Sequence, residues 1–333
     1  MYENHTGDTA YLQDLLRAGG EVVIPKTNPL TGDEIWIISS PLFLTSHTTV
    51  ILDGAHLRLA DGVYANVFAT EVPIGAPMTA ADCLHDIHIL GKNGALLDGG
   101  IHNGLTEKTA NKDGRPSVLN NTFVYLRGVI GFSVSHLRII NPRYWGLTFA
   151  FCSEGEITDI DFTAANDAPN QDGIDLRVGC HDIVIRNITG STGDDTVALT
   201  GLLGVSGQKQ QIEGLSPDIH DVVIENISAY VTGGHGIIRL LCHDGVKLYN
   251  VRIAHIHDGS IDCDGVRCQA AIRIGDCNYS TIRRALPEEM HDITVEDVYT
   301  NAKYAVKLFG GPQNFILSDI RTTDPEGYQL ITC

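Results

Sequence analysis

Nowhere does the chain carry a run of about 20 apolar residues, the length a membrane-spanning helix requires, so no membrane partner is expected for its 333 residues. The start, MYENHTGDTAYLQDLL, lacks the basic-then-apolar order of a secretory leader, and a cytoplasmic location is the expectation unless a leader has been removed. Basic residues are in short supply, with Lys+Arg at 23 against Asp+Glu at 41 and a formal net charge of −18. Such a field repels nucleic acid and anionic membrane surfaces, and a polyanionic ligand demands a locally basic cleft. Also missing is any CxxC among the eight cysteines, at 83, 152, 180, 242, 263, 268, 277 and 333. That absence argues against a paired zinc knuckle and against the dense disulfide framework of small secreted folds. Reduced, mostly buried thiols are expected, with Cys263, Cys268 and Cys277 as the one loose group, and neither a metal nor another cofactor is required.

Glycine is abundant, at 35 residues, which points to frequent tight turns rather than long helices. One phrase returns along the chain as HDIHIL at 85, HDIVIRNI at 181, HDVVIENI at 220 and HDITVEDV at 291, with weaker copies at 131, 155, 244 and 313. Taking Ile87, Phe132, Ile157, Ile183, Val222, Val246, Ile293 and Phe315 as equivalent gives spacings of 45, 25, 26, 39, 24, 47 and 22. The base period is then roughly 22 to 26 residues, within the solenoid range. Spacings of 45 and 47 hold either two turns or one turn with an insertion, and the 39 contains the polar loop LGVSGQKQQIEGLSP.

Apolar and polar residues alternate inside each phrase, and a short strand precedes it, as in GLTFAFC, GIDLRVGC, TVALTG, GIIRLLC, AIRIGDC and AVKLFGG. No repeat has room for a helix of about 10 residues. The expected fold is all-β: one single-stranded, right-handed parallel β-helix domain over 1–333, with a helical cap in 1–20 and coils through 21–333. Asp8 is expected to cap that helix, whose Ala10, Leu12, Leu15 and Leu16 would plug the open end. At the other end YQLITC shows no cap, so the last coil is a candidate homo-oligomer contact.

Two adjacent aspartates in STGDDTVALTG, at 194 and 195, sit just before an apolar, β-branched strand, where Asp is normally scarce. Stacking the coils puts Asp172 of DGIDL, Asp195 of DTVAL and His235 of HGII in one column about 5 Å apart, with Asp194 alongside. Carboxylates held that close do not all titrate normally: one is pushed up and supplies a proton while another stays a base. Glycoside hydrolysis needs that division of labour. Arg273 in AIRIG points out on the same face, where it can bind a carboxylate or hydroxyl. A single such aspartate reads as a turn residue capping backbone amides, but four such groups on one face outweigh that reading. By contrast, His85, His181, His220 and His291, with Asp86, Asp182, Asp221 and Asp292 after them, read as turn or packing residues. Loops at 98–121, 203–217 and 257–270 are expected to wall the groove.

Three signatures in order, NQDGIDL at 170–176, GDDTVAL at 193–199 and GGHGII at 233–238, resemble the NTD, GDD and GHG motifs of the polygalacturonase family of glycoside hydrolases, family 28, in the pectin-lyase-like β-helix superfamily. The likeness covers 120–309, and DTAYLQDLL…GGEVVIP resembles the start of many pectin-active β-helices. The resemblance implies an inverting hydrolase in which Asp194 is the general acid and Asp172 and Asp195 activate the attacking water. It also implies that His235 tunes the acid or contacts the sugar, and that Arg273 binds the sugar at the scissile site; Asn170 of the first signature is a further substrate-binding candidate. The family's fourth signature, Arg-Ile-Lys, reads Arg273-Ile274-Gly275 here, so the lysine that would grip a uronate is absent. Lys307, Arg177 and Arg239 are candidate replacements, although Arg239 falls where an inward apolar residue is expected, and Gln171 stands where the first motif has Thr.

The leading expectation is a hydrolase of a pectic or other uronate-containing glycan, its partner an oligo- or polysaccharide. Without a leader, short imported oligosaccharides are favoured over intact cell-wall polymer. One alternative is a polysaccharide lyase or uronate epimerase on the same fold, with Arg273 or Lys307 taking the sugar C5 proton, often beside Ca²⁺. Another is a noncatalytic, trimeric glycan-binding β-helix of the tailspike kind, although a binding groove gains nothing from mutually repelling carboxylates.

Overall fold

The computed structural model describes residues 7–101, 118–263, 266–276, 279 and 282–332. Cys277, Cys333 and most of the 98–121 segment lie outside them. Long and short strands alternate along the chain, and each pairs in parallel with its counterpart one coil away. His181–Thr192 lies between Ser153–Thr163 and Ile219–Val231, followed by Leu248–Asp258, Met290–Thr300 and Gln313–Thr322. The short strands Leu147–Ala150, Ile174–Arg177, Val197–Gly201, Ile238–Cys242, Ala270–Ile274 and Tyr304–Leu308 stack in the same order in a second sheet. The fold is a right-handed parallel β-helix.

The repeated phrase is explained by two backbone bends. Asp182 and Asn187, Asp221 and Asn226, Asn250 and His255, and Asp292 and Asp297 all have φ between 49° and 57°. Asp and Asn tolerate this left-handed region best among residues with a side chain, so HD at the start and N or D later mark the turns of the three strands that begin near 181, 220 and 291, while Leu248–Asp258 turns at Asn250 and His255. The side chains then bond from coil to coil: Asn187 Nδ2 donates to Asp159 Oδ1 at 3.0 Å, Asn314 Nδ2 to Asp292 Oδ1 at 2.9 Å, and Asn250 Nδ2 to Asp221 Oδ1. Between the bends the inward positions form unbroken apolar stacks. Ile89, Val134, Ile157, Ile185, Ile224, Ile253 and Val295 follow one another in register, each with 0% exposure. Each such side chain contributes about 1.5–3 kcal/mol by leaving water.

The pairing corrects two of the equivalences read from sequence. Gly155, not Ile157, pairs with Phe132 and Ile183, and Val251, not Val246, pairs with Val222 and Ile293. Gly155 hid the pattern because a Cβ there would lie 2.1 Å from the Phe132 ring, which fills its place in the core. Ile87 pairs directly with Phe132, and Val251 with Ile293. Both long spacings are therefore single turns with insertions.

At the N-terminal end, helix Asp8–Leu16 covers the first coils with Leu12 and Leu16, each fully buried. Asp8 does not cap it: Gly7 holds the N-cap position, and the Asp8 carboxylate instead accepts from Asn28 Nδ2 at 2.7 Å and Ile37 N at 2.8 Å. Thr9 and Gln13 likewise bond Ser39 N, at 2.9 Å, and Phe43 N, at 2.7 Å. The plug thus satisfies strand-edge amides as well as burying apolar surface.

On the outer face of the long-strand sheet, His181, His220, Tyr249 and His291 stack ring on ring at 4.8–4.9 Å. Each of the three histidines has Nδ1 on the next aspartate, at 2.6–2.7 Å. These groups serve packing and turns, as their recurrence implied. Six cysteines are free thiols, with Cys263 exposed and Cys83, Cys152, Cys180, Cys242 and Cys268 buried. No helix among the described residues is long and apolar enough to cross a membrane.

Ile185→Ala, in the middle of the aliphatic stack, is expected to lower stability by about 2–5 kcal/mol. Chemical denaturation checks this, and a loss within the scatter of a surface substitution contradicts the stacking account.

Candidate active site

The Gly-Asp-Asp turn is pinned from the coil before it. Gln171 O accepts from Gly193 N at 2.8 Å and from Asp194 N at 3.2 Å. Its side chain, where the resemblance expects Thr, donates to Pro142 O at 2.8 Å and to Asp167 Oδ1 at 2.9 Å. Glycine is required here by close approach: a Cβ on Gly193 would lie 2.7 Å from Gln171 Cβ, and one on Gly233 would lie 2.2 Å from Gly193 O. Thr192 Oγ1 donates to Asp194 O at 2.7 Å, closing the turn from inside.

Extending the pairs Ile174–Val197 and Val197–Ile238 toward the strand starts sets Asp172 level with Asp195, as expected, but Asp195 level with Gly236. His235 is therefore level with Asp194, one residue from its expected place. The cause is that Ile238, not Ile237, pairs with Val197. Gly236 N donates to Asp195 Oδ1 at 3.2 Å, while His235 Nδ1 lies 3.2 Å from Asp194 Oδ1. Asp172, Asp194 and Asp195 are 5%, 9% and 2% exposed. One oxygen from each lies within 4.8 Å of one from each of the others.

Burial first, and then the charges of Asp175, Asp194 and Asp195, hold the Asp172 carboxyl well above the usual carboxylate range, against the pull of Arg239. Asp195 is pushed up to about 6 by burial and by Asp194, with Arg239, Arg273 and His235 acting the other way. The trio therefore retains a proton where isolated carboxylates have none, and its titration belongs to the group rather than to one residue.

Arg239 faces outward, in a column running Thr148, Asp175, Ala198, Arg239, Arg273, Lys307. The inward residues of its strand are Ile238 and Leu240, both fully buried, so the expectation that Arg239 takes an inward position is corrected. Its guanidinium bridges Asp195 Oδ2 at 3.6 Å and Asp276 Oδ2 at 3.0 Å. Asp276 follows Gly275, which occupies the position where the resemblance expects lysine. Gly275 has φ +79°, and a Cβ there would lie 2.4 Å from Phe309 O. The local backbone thus excludes any side chain at this point.

A cleft of about 840 Å³ opens over the trio. Of the sequence candidates, Asn170, Asp172, Arg177, Asp194, Asp195, His235 and Arg239 line it; Arg273 and Lys307 do not. Arg273 lies 3.9 Å from Asp276, and Lys307 sits one coil further along, over the rings of Tyr304 and Phe309 at 5.7 and 4.9 Å. Walls come from residues 166–170 and 202–207 and from Tyr279, whereas no described residue of 257–270 lines it. Sequence reading missed Trp145, Asp167, Asp175 and Tyr279 in the lining, and Asp276 behind it. The alternation in GIDLR, with Asp175 and Arg177 on one face, was the available signal for Asp175.

Fold and cleft together define a parallel β-helix protein with an acidic site on its short-strand sheet. The model of glycosyl hydrolases family 28 matches residues 44–237, more than half of the chain, and the chain belongs to that family. The match begins earlier than the resemblance in sequence and ends just beyond His235, leaving the Arg273 strand outside it. An exo-poly-α-D-galacturonosidase from Dickeya chrysanthemi is 26% identical over 217 residues, covering 65% of this chain and 33% of that protein. The chain thus spans about a third of the length of this relative. Among solved structures, a polygalacturonase from Erwinia carotovora ssp. carotovora superposes with a TM-score of 0.63 at 15% identity, over 100% of this chain and 95% of the other. The tailspike protein of E. coli bacteriophage HK620 gives 0.59 at 14% identity, over 98% of this chain and 61% of the other. These likenesses show the fold.

Arg239→Gln removes the main charge that holds Asp195 down. The Asp195 titration is expected to move upward by about one unit, as read by carbon NMR of the aspartate carboxyls. An unchanged or lowered midpoint contradicts the ion pair's role.

Proposed function

We propose that the chain is an inverting glycoside hydrolase acting on a pectic or other uronate-containing glycan. The observation that carries this reading is the buried trio of Asp172, Asp194 and Asp195, with oxygens within 4.8 Å of one another, at the floor of an open cleft. In this reading Asp194 is the general acid. It is the member of the trio paired with His235, which is half-exposed and lines the same cleft. Asp172 and Asp195 hold the attacking water: two hydrogen bonds of about 2.8 Å each reach across such a gap. As the glycosidic bond breaks, Asp194 gives its proton to the leaving oxygen and the ionised Asp195 takes one from the water, which Asp172, held above the usual carboxylate range, helps to orient.

Asp195 acts as a base only when ionised, so falling pH silences it from about 6 downward. A kcat/KM that falls on the acid side, with its limb near 6, is therefore expected.

Proton abstraction by Arg273 or Lys307 is a poorer account, since both lie outside the cleft and an arginine does not give up its proton. Among the described residues, the convergence of three carboxylates is the feature that favours a Ca²⁺-assisted lyase. Incubation with galacturonan, rhamnogalacturonan and neutral plant oligosaccharides separates the readings. New reducing ends without unsaturated-uronate absorbance, insensitive to chelator and lowered at least 10³-fold by Asp194→Asn, are the expected result. Absorbance that disappears with chelator overturns hydrolysis, and tight binding without turnover favours a glycan-binding β-helix.

A further inference from the structure

The outward face of the short-strand sheet is open over the trio and shut in the coils just before it. On strands Val124–Arg127 and Leu147–Ala150 the outward residues Tyr125, Arg127, Thr148 and Ala150 are each no more than 1% exposed. Side chains alternate between the two faces of a strand, so outward residues this deeply buried need a covering layer. Trp145 supplies part of it. Extending the pair Leu147–Ile174 toward the strand starts sets Trp145 level with Asp172, in the coil before it and about 4.8 Å away along the axis. Gly146 N donates to Asp172 O at 3.0 Å at this point. The Trp145 ring packs with Leu119, Tyr125 and Tyr144, and the Arg177 guanidinium lies 4.6 Å over it.

The rest of the cover is a strap, 202–213, which leaves strand Val197–Gly201 beside the trio and runs back over the earlier coils to 75–80. Gly75 N donates to Lys209 O at 3.2 Å, Glu213 N to Met78 O at 2.8 Å and Ala80 N to Glu213 O at 3.0 Å. Arg127 locks the two segments together from below. Its Nε donates to Gln210 O at 3.0 Å, its Nη2 to Gln211 O at 2.6 Å and its Nη1 to Ala76 O at 3.2 Å. The planar guanidinium fork suits three such carbonyls at once. Gln210 is fully buried, with Nε2 on the Tyr125 hydroxyl at 3.4 Å, and Met78 and Ile212 pack on Ala150 and Phe151. A recess over the still earlier strands Leu42–Leu44 and Phe68–Thr70 shares no described lining residue with the cleft over the trio, so the groove is broken between them. Toward later coils, by contrast, Arg239, Arg273 and Lys307 follow one another outward and each is partly exposed.

We propose that Trp145 and the strap 202–213 make the cleft blind on its earlier-coil side, so that it accepts a glycan only by its end, and that Arg127 sets this mode by holding the strap down. Arg127 is a positioning residue: it lies under the strap and outside the cleft lining. A cleft of about 840 Å³ falls among sites of roughly 300–1,000 Å³ that enclose small ligands, and a chain fed past the trio runs into Trp145. Each cut then frees a short piece from one end instead of dividing the chain. The cut itself rests on the hydrolase reading; the blind end is a matter of binding alone.

Two readouts at neutral pH test it. In the first, the native protein acts on galacturonan and on rhamnogalacturonan while viscosity is followed against new reducing ends. Short sugars from the first minutes, with almost no viscosity lost per bond broken, are expected. Arg127→Ala should lose at least tenfold more viscosity per bond broken and release longer products, and Arg127→Lys, which restores part of the lock, should fall between. This ratio is independent of how much of a variant is folded, so a merely structural role for Arg127 leaves it unmoved and overturns the part given to that residue. Rapid viscosity loss with the native protein overturns the blind end and leaves hydrolysis standing. In the second, calorimetric titration of the Asp194→Asn variant with tetragalacturonate and with a long galacturonan fragment counts proteins per chain. One per chain at both lengths is expected, and several on the long fragment overturn the proposal. One per chain without cleavage by the native protein upholds the blind end and overturns the hydrolase reading instead, whereas no binding of either probe together with no cleavage of either glycan overturns both. If Arg127→Ala fails to fold by circular dichroism, the native ratio and the stoichiometry decide.

Discussion

Parallel register is the constraint on which everything else in this molecule depends. Each inward side chain sits directly on its counterpart in the next coil, so a one-residue slip in any strand would turn an aliphatic stack outward. The same locking fixes the turns between sheets. Because Ile174, Val197 and Ile238 are stacked in the core, Asp172 and Asp195 are level, and Asp194 meets His235. Residues far apart in sequence become a chemical group through this alignment, with no local motif binding them together.

Close stacking also explains the glycines and the odd residues of the site. Gly193 and Gly233 let successive turns approach within contact distance, and Gly275 closes the point where a lysine side chain would have emerged. Asp276 then takes the next position and holds Arg239 against Asp195. The ion-pair chain from Asp195 through Arg239 to Asp276 is thus tied to the departure from Arg-Ile-Lys. It limits how far burial and repulsion raise Asp195, keeping that carboxyl near 6 rather than neutral at all physiological pH.

Much of this was legible in sequence because the repeat is written in the physics of its bends. In His181–Thr192, Ile219–Val231 and Met290–Thr300 the recurring HD and the later Asn or Asp mark the two left-handed residues, and alternation between them marks the core. Where a core position is filled from a neighbouring coil, as Phe132 fills the place of Gly155, the pattern vanishes and alignment by apolar residues drifts. The trio itself was readable from GDD and DGIDL. The one-residue offset of His235 was not, since Ile237 and Ile238 are both apolar and both fully buried, so only the backbone pairing distinguishes them. Asp276 and Tyr279 were beyond reach for another reason: their role depends on a loop returning to Arg239 from a later coil.

The central claim is that the trio delivers a water to one face of the sugar while a proton reaches the other. The oxygens lie within 4.8 Å of one another, closer than the roughly 6.5–9.5 Å common between the two carboxyl groups of inverting glycosidases. The stereochemistry of the reaction therefore tests the claim most directly. Proton NMR of the anomeric signal during the first minutes of cleavage, before mutarotation, should show the first product with inverted configuration. A retained configuration would mean that a carboxylate of the trio attacks the sugar itself, and would contradict the water-activating role given to Asp172 and Asp195.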